Sequence, residues 1–130
     1  MKKSFKSMLA IFAIPLLLIG YEVLGIIVNH TATGIQTNRL RHNIVDTFPD
    51  TEIISVKSET GNTSGTGNHV DCLSCITFTS DLSLSEVQDK LSSTYDWSDL
   101  SCYVNETTTK GQYLFFLRKR APFVNNIEGH

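Results

Sequence analysis

The run "MLAIFAIPLLLIGYEVLGIIV", Met8 to Val28, decides how the rest of the chain is organised. It is apolar except for Pro15, Gly20, Tyr21, Glu22 and Gly25. As a helix rising about 1.5 Å per residue, its 21 residues would reach roughly 30 Å, the hydrocarbon thickness of a bilayer. A cleaved signal peptide has a shorter apolar region, about 7 to 15 residues, ahead of small residues at a cut site. Here only a weak site can be drawn near Ala32 and Thr33, and no cysteine follows the run to carry a lipid. Residues 1–30 therefore read as a basic start and an uncleaved single-pass anchor, with residues 8–28 in the lipid bilayer of a cell membrane. Lys2, Lys3, Lys6 and the amino terminus precede the run, whereas Arg39 and Arg41 follow it by more than ten residues. That asymmetry predicts a cytoplasmic amino terminus and an extracytoplasmic remainder.

An ionisable residue inside a membrane segment is a functional suspect by default. Glu22, however, lies near the outer end of the run, where a carboxylate reaches the interface or takes up a proton. A type IV pilin signature would place a glycine, an aromatic residue and then a glutamate at the opening of the apolar helix. "GYE" at 20–22 comes after most of the run, so that pattern is not met.

Outward from the anchor, residues 31–130 carry eight Lys and Arg against twelve Asp and Glu, about minus four. Nucleic-acid binding calls for a basic face, and only "RKR" at 118–120 offers one, so no nucleic-acid partner is expected. From Ile35 to Phe48, Leu40, Ile44 and Phe48 recur at spacing four, one apolar helical stripe that Pro49 stops. "TEIISVKS" reads as a strand, and "ETGNTSGTGN" after it as a long hairpin loop; its glycines lack the Gly-Lys-Ser/Thr ending of a phosphate loop. In "DLSLSEVQDKLSSTYDW", Ser83 and Glu86 form a capping box, with Leu82 and Val87 as a hydrophobic staple. Leu84, Val87, Leu91 and Tyr95 share one face of the helix that follows. Strands around "LSCYVNE" and "QYLFFLRK" are joined by "TTTKG" as a hairpin. The resulting order is α-β-β-α-β-β: an α+β domain over 31–120 with one antiparallel sheet and helices on one face, then a tail, 121–130, without periodic pattern.

The stretch "HVDCLSCITFT", 69–79, holds Cys72 and Cys75. Strand alternation puts Val70, Cys72, Ser74, Ile76 and Phe78 on one face and Leu73 and Cys75 on the other. A zinc site using His69, Cys72, Cys75 and Cys102 would need both Cys-x-x-Cys sulfurs turned to one metal. A thioredoxin-like pair would need its first cysteine at a helix start. The β-branched surroundings fit neither, and no cofactor is expected. A disulfide suits an extracytoplasmic location. Cys72 with Cys102, taken to face the core between Leu100 and Val104, is the preferred pairing, and Cys75 with Cys102 stays open. No His-Glu-x-x-His or Gly-x-Ser-x-Gly spacing is present. Asp96 and Asp99 around Trp97 read as a helix end and a turn rather than a catalytic carboxylate pair.

In layout, the basic start, the anchor, "FPDTEIISVKS", the cysteine strand and "TSDLSLSEVQDKLSSTYDW" resemble small uncharacterised bacterial envelope proteins with a membrane anchor or lipoprotein signal. Asp81, Ser83, Glu86, Val87, Tyr95 and Trp97 carry that resemblance, with Ser85 where an acidic residue is usual. It implies location and layout and carries over no site. The sequence thus points to a membrane-anchored, non-catalytic binding domain for an envelope or secreted protein. The alternative is a thiol-redox or zinc-dependent envelope protein.

Overall fold

The structure, a computed structural model, describes the backbone of residues 2–130 and the side chains from Ser7 onward. A single helix, α1, runs from Lys2 to Thr47. Its 46 residues span about 69 Å. The sequence suggested an anchor and a separate helix from Ile35, with a boundary near residue 30; instead the helix passes through that boundary unbroken. The intervening threonines would otherwise offer the backbone an alternative partner. Here the hydroxyls of Thr31, Thr33 and Thr37 donate to the carbonyls of Ile27, Asn29 and Thr33 four residues back, a local bond that is compatible with the helical backbone, and the helix runs on.

Four strands follow the helix: β1 (Ile53–Gly61), β2 (Asp71–Thr79), β3 (Cys102–Glu106) and β4 (Gln112–Arg120). A short helix, α2 (Leu84–Leu91), lies between β2 and β3. The sheet order is β1-β2-β4-β3, antiparallel throughout. The α+β class, the element order and the single antiparallel sheet agree with the sequence reading. Both helices pack on the same face: Leu40 and Ile44 of α1 and Val87 and Leu91 of α2 meet Ile76, Phe78, Val104, Phe115 and Leu117 in one core cluster. Tyr95 and Trp97, from the loop after α2, close over Phe115 at ring distances of 4.8 and 5.5 Å. Leu100, which the alternation placed on the core face, is 92% exposed, because β3 begins only at Cys102.

The face that α1 turns toward the domain changes character along its length. Gly25, Asn29, Thr33 and Thr37 are buried first, then Leu40, Ile44 and, just past the helix end, Phe48. The polar half is fully engaged. Thr37 Oγ1 lies 2.7 Å from Ser74 Oγ and Thr33 Oγ1 lies 2.6 Å from Thr60 Oγ1. Gln36 donates to the Cys72 carbonyl at 2.9 Å and to Ser74 Oγ at 3.0 Å.

The tail, 121–130, lacks a sequence period because it wraps a helix instead of forming one. Asn29 donates to the Phe123 carbonyl at 3.0 Å and accepts from the Phe123 N–H at 2.9 Å. A 3₁₀ turn, Ile127–Gly129, follows, and Glu22 accepts the Ile127 N–H at 2.8 Å. Glu22 is thus tied to the tail, a role its place in the apolar run did not suggest. Gly25 makes room for this wrap, since a Cβ there would lie 2.9 Å from Asn126 Nδ2 and 3.3 Å from Phe123 Cδ1. Gly34 has nothing within 4 Å of such an atom.

Two stability predictions follow from these contacts. The capping box is present: Ser83 Oγ accepts from the Glu86 N–H, and Glu86 accepts from the Ser83 N–H at 2.8 Å. Ser83→Ala should cost about 1 kcal/mol in thermal unfolding of the full chain in detergent, the usual size of a lost cap. The hydrogen bonds from Ser83 hold the Glu86 carboxyl below its ordinary value. A depressed carboxyl stabilises above its unfolded value and loses that contribution as pH falls through the folded one. The gap between wild type and Ser83→Ala should therefore narrow in acid. Second, Gly25→Val should loosen the tail and speed its trimming by carboxypeptidase. Gly34→Ala should leave trimming unchanged and raise stability by roughly 0.5–1 kcal/mol, the helix preference for alanine over glycine.

Candidate functional site

The cysteines were the first candidates, and the sheet separates them. Cys72 and Cys102 face the helices and are buried; Cys75 is half-buried on the other face. All three are free thiols, so the expected Cys72–Cys102 bridge is absent. The facing assignment was right, but the strands are not neighbours: β4 lies between β2 and β3. Two strand spacings amount to roughly 9.5 Å, beyond the reach of about 7 Å between bridged α-carbons. The register adds a further offset, since Cys102 pairs with Leu117 and Leu117 with Ser74, two residues from Cys72. Cys75 shares its row with Phe116 and Tyr103 and points away from Cys102, so the second pairing is absent too.

The same geometry disperses the four residues of the zinc or redox alternative. Among the described residues, no three of His, Cys, Asp and Glu are grouped to hold a metal ion. Burial is the leading cause that raises the thiols of Cys72, Cys75 and Cys102 above their ordinary value, the opposite of an activated nucleophile.

His69 lies in a cluster that sequence spacing did not reveal. Its Nε2 is 3.1 Å from Ser64 Oγ and 3.3 Å from Asp71 Oδ2. Serine, histidine and aspartate together invite comparison with a hydrolytic triad. A triad needs the serine on one ring nitrogen and the carboxylate on the other, so that the ring relays a proton while held in orientation. Here both partners meet the same nitrogen. Asp71 also accepts from Thr63 Oγ1 at 3.2 Å, and the Gly129 backbone lies against that of His69. The cluster fastens the β1–β2 loop and the chain end to the sheet. It borders an open cleft of about 640 Å³ whose lining mixes Arg118, Lys119 and Arg120 with Asp96 and Asp99. Those two aspartates form turns, each accepting a backbone N–H two residues on at 2.9 Å. The turn at Asp99 agrees with the sequence reading, whereas Asp96 caps no helix end, because α2 stops at Leu91 with Ser92 as its cap.

What remains is the sheet face opposite the helices. Cys75, Phe116 and Tyr103 form one row across β2, β4 and β3, and Leu73 and Arg118 the next. Leu114 and Thr77 continue the patch on the other side. Phe116 and Tyr103 stack at 4.7 Å with planes 10° apart, and the Arg118 guanidinium stands 5.9 Å from the Phe116 ring. A one-sided sheet alternates apolar and polar residues. "YLFFL" at 113–117 does not: Tyr113, Phe115 and Leu117 point to the helices while Leu114 and Phe116 point outward. That unbroken run was the available signal of a second contact surface. No protein-family model, curated protein or solved structure matches this chain.

The thiol geometry is open to a direct check. In the folded full chain near pH 8, a maleimide should label Cys75 slowly and leave Cys72 and Cys102 unmodified until denaturant is added. Intact-mass measurement counts the adducts, and peptide mapping locates them. Rapid labelling of Cys72 in the folded protein would show that its strand face is not covered by α1.

Proposed function

We propose that the chain is a single-pass membrane-anchored binding domain. It holds an envelope or secreted protein against the outward face of its sheet, with the amino terminus in the cytoplasm and the domain outside. Support for the anchor comes from a helix long and apolar enough to cross a membrane and from the lysines that precede it. The observation that carries the binding reading is the Tyr103–Phe116 stack with Arg118 beside it, on a face that neither helix covers. Aromatic residues and arginine are the types enriched where protein partners meet. They offer large contact area with few rotatable bonds, and the guanidinium adds a charge that can lie flat on a ring. The thiols, raised above their ordinary value by burial, and the single shared nitrogen of His69 favour no reaction at the other candidate positions.

The test uses the full chain in its native membrane with a photo-crosslinking residue at Asn105, on the outward face beside Leu114, or at Asp89 on α2. The expected result is one discrete adduct from position 105, lost on Phe116→Ser, and none from position 89. No adduct from position 105, or equal adducts from both, would remove the outward face as the binding surface. An adduct of twice the chain mass would make the partner a second copy and overturn the reading of a different protein.

A further inference from the structure

The tail fixes where the bare part of α1 ends. Met8 to Gly20 are exposed on every side, 13 residues that span about 20 Å. A bilayer core is about 30 Å thick, so this stretch falls roughly 10 Å short. The next turns, from Tyr21 to His30, are clasped by residues 123–128, with Tyr21 and Phe123 rings 5.5 Å apart and His30 paired to Glu128. Two amides of this collar, Asn29 and Asn126, turn inward and are fully buried, the half-buried Glu22 carboxylate accepts the Ile127 N–H, and Asn125 is exposed. The collar's apolar groups turn outward: Val23, Leu24 and Ile27 are at least half exposed, and Ile127, on the 3₁₀ turn, is 62% exposed. Paired amides inside with aliphatic side chains outside is an arrangement that a hydrocarbon boundary selects. It continues directly from a helix segment that is apolar all round, a surface that lipid matches on every side.

We infer that this collar is a lipid-seating surface. The 3₁₀ turn, led by Ile127, enters the boundary between headgroups and acyl chains of the same bilayer that α1 crosses, alongside Val23, Leu24 and Ile27. Tyr21 and Phe123 lie at that boundary, where aromatic rings concentrate, and the His30–Glu128 pair marks the aqueous level. The collar supplies the missing apolar length and sets the domain directly on the membrane, without a linker.

The inference rests on the anchor reading, and the experiment separates the two. The full chain is reconstituted in phosphatidylcholine vesicles, with or without bromine on the upper acyl chain, and tryptophan fluorescence is read. Trp97 of the wild type is the distant reference: its neighbour Tyr95 bonds Asn43, about 24 Å further along α1 than Ile27. In a Trp97→Phe background, the indole introduced by Ile127→Trp should be quenched by bromine several-fold more strongly than Trp97. Leu24→Trp, placed on the half-exposed face of α1 and not on the tail, should be quenched as strongly. Quenching from Leu24→Trp but not from Ile127→Trp would show a collar held outside the lipid and overturn the inference, and absence of quenching from both would do so as well. Flotation of the vesicles after an alkaline wash reports on the anchor alone. Protein that floats with an unquenched Ile127→Trp refutes only the seating, whereas protein that fails to float refutes the anchor and the seating with it.

Discussion

The structure depends on one constraint: a single unbroken helix has to satisfy two surroundings. Over Met8–Gly20, α1 is exposed on all sides. From Gly25 onward one stripe of the same helix is buried against the tail and the sheet. Because no linker interrupts it, each residue of that stripe is held in a fixed rotational relation to the apolar segment. The orientation of the sheet relative to the helix axis is set by which side chains fill the stripe.

The stripe fills in two chemical regimes, and their magnitudes differ. Leu40, Ile44 and Phe48 enter the main core with Phe78 and Phe115. Full burial of such side chains stabilises by about 1.5–3 kcal/mol each. Asn29, Thr33, Gln36 and Thr37 instead make hydrogen bonds to β1, β2 and the tail. Bonds of this type contribute a net 0.5–1.5 kcal/mol or so, while a buried polar group left without a partner costs about 1–3 kcal/mol. The apolar end therefore supplies most of the holding energy. The polar end specifies register, because a shift by one residue would strand several buried donors and acceptors at once. Glu22, at the far end of the stripe, extends the same logic to the tail: its carboxylate takes up the N–H of Ile127.

The sheet is asymmetric in a complementary way. Its helix-facing side is closed by α1, α2 and the Tyr95–Trp97 loop. Its other side keeps an aromatic pair and a guanidinium in contact with solvent. Both cysteine-bearing strands contribute to this division. Cys72 and Cys102 lie under the helices and Cys75 lies outside, with β4 holding β2 and β3 apart. Interleaving β4 between them turns what looked like a cross-link in the chain into three separate thiols.

Local features could be read directly from the chain. The Ser83–Glu86 capping box, the Asp99 turn, the alternation of β2 and the Leu40–Ile44–Phe48 stripe depend on neighbours within a few residues, and all are present. Three things were decided only by the assembled fold. The first is the length of α1: Asn29, Thr33 and Thr37 show no apolar period, and their burial makes sense only once Thr60, Ser74 and Phe123 arrive from more than 25 residues away. The second is the strand order, which alternation within a strand cannot encode and which put Cys72 and Cys102 out of reach of each other. The third is the tail, whose few polar residues carry no pattern of their own because the pattern they answer to, Glu22, Gly25 and Asn29, lies about a hundred residues earlier on α1. Sequence periodicity records how an element meets its surroundings when those surroundings are apolar. Where the partner is a matched set of hydrogen bonds, only the tertiary structure brings the two halves of the match together.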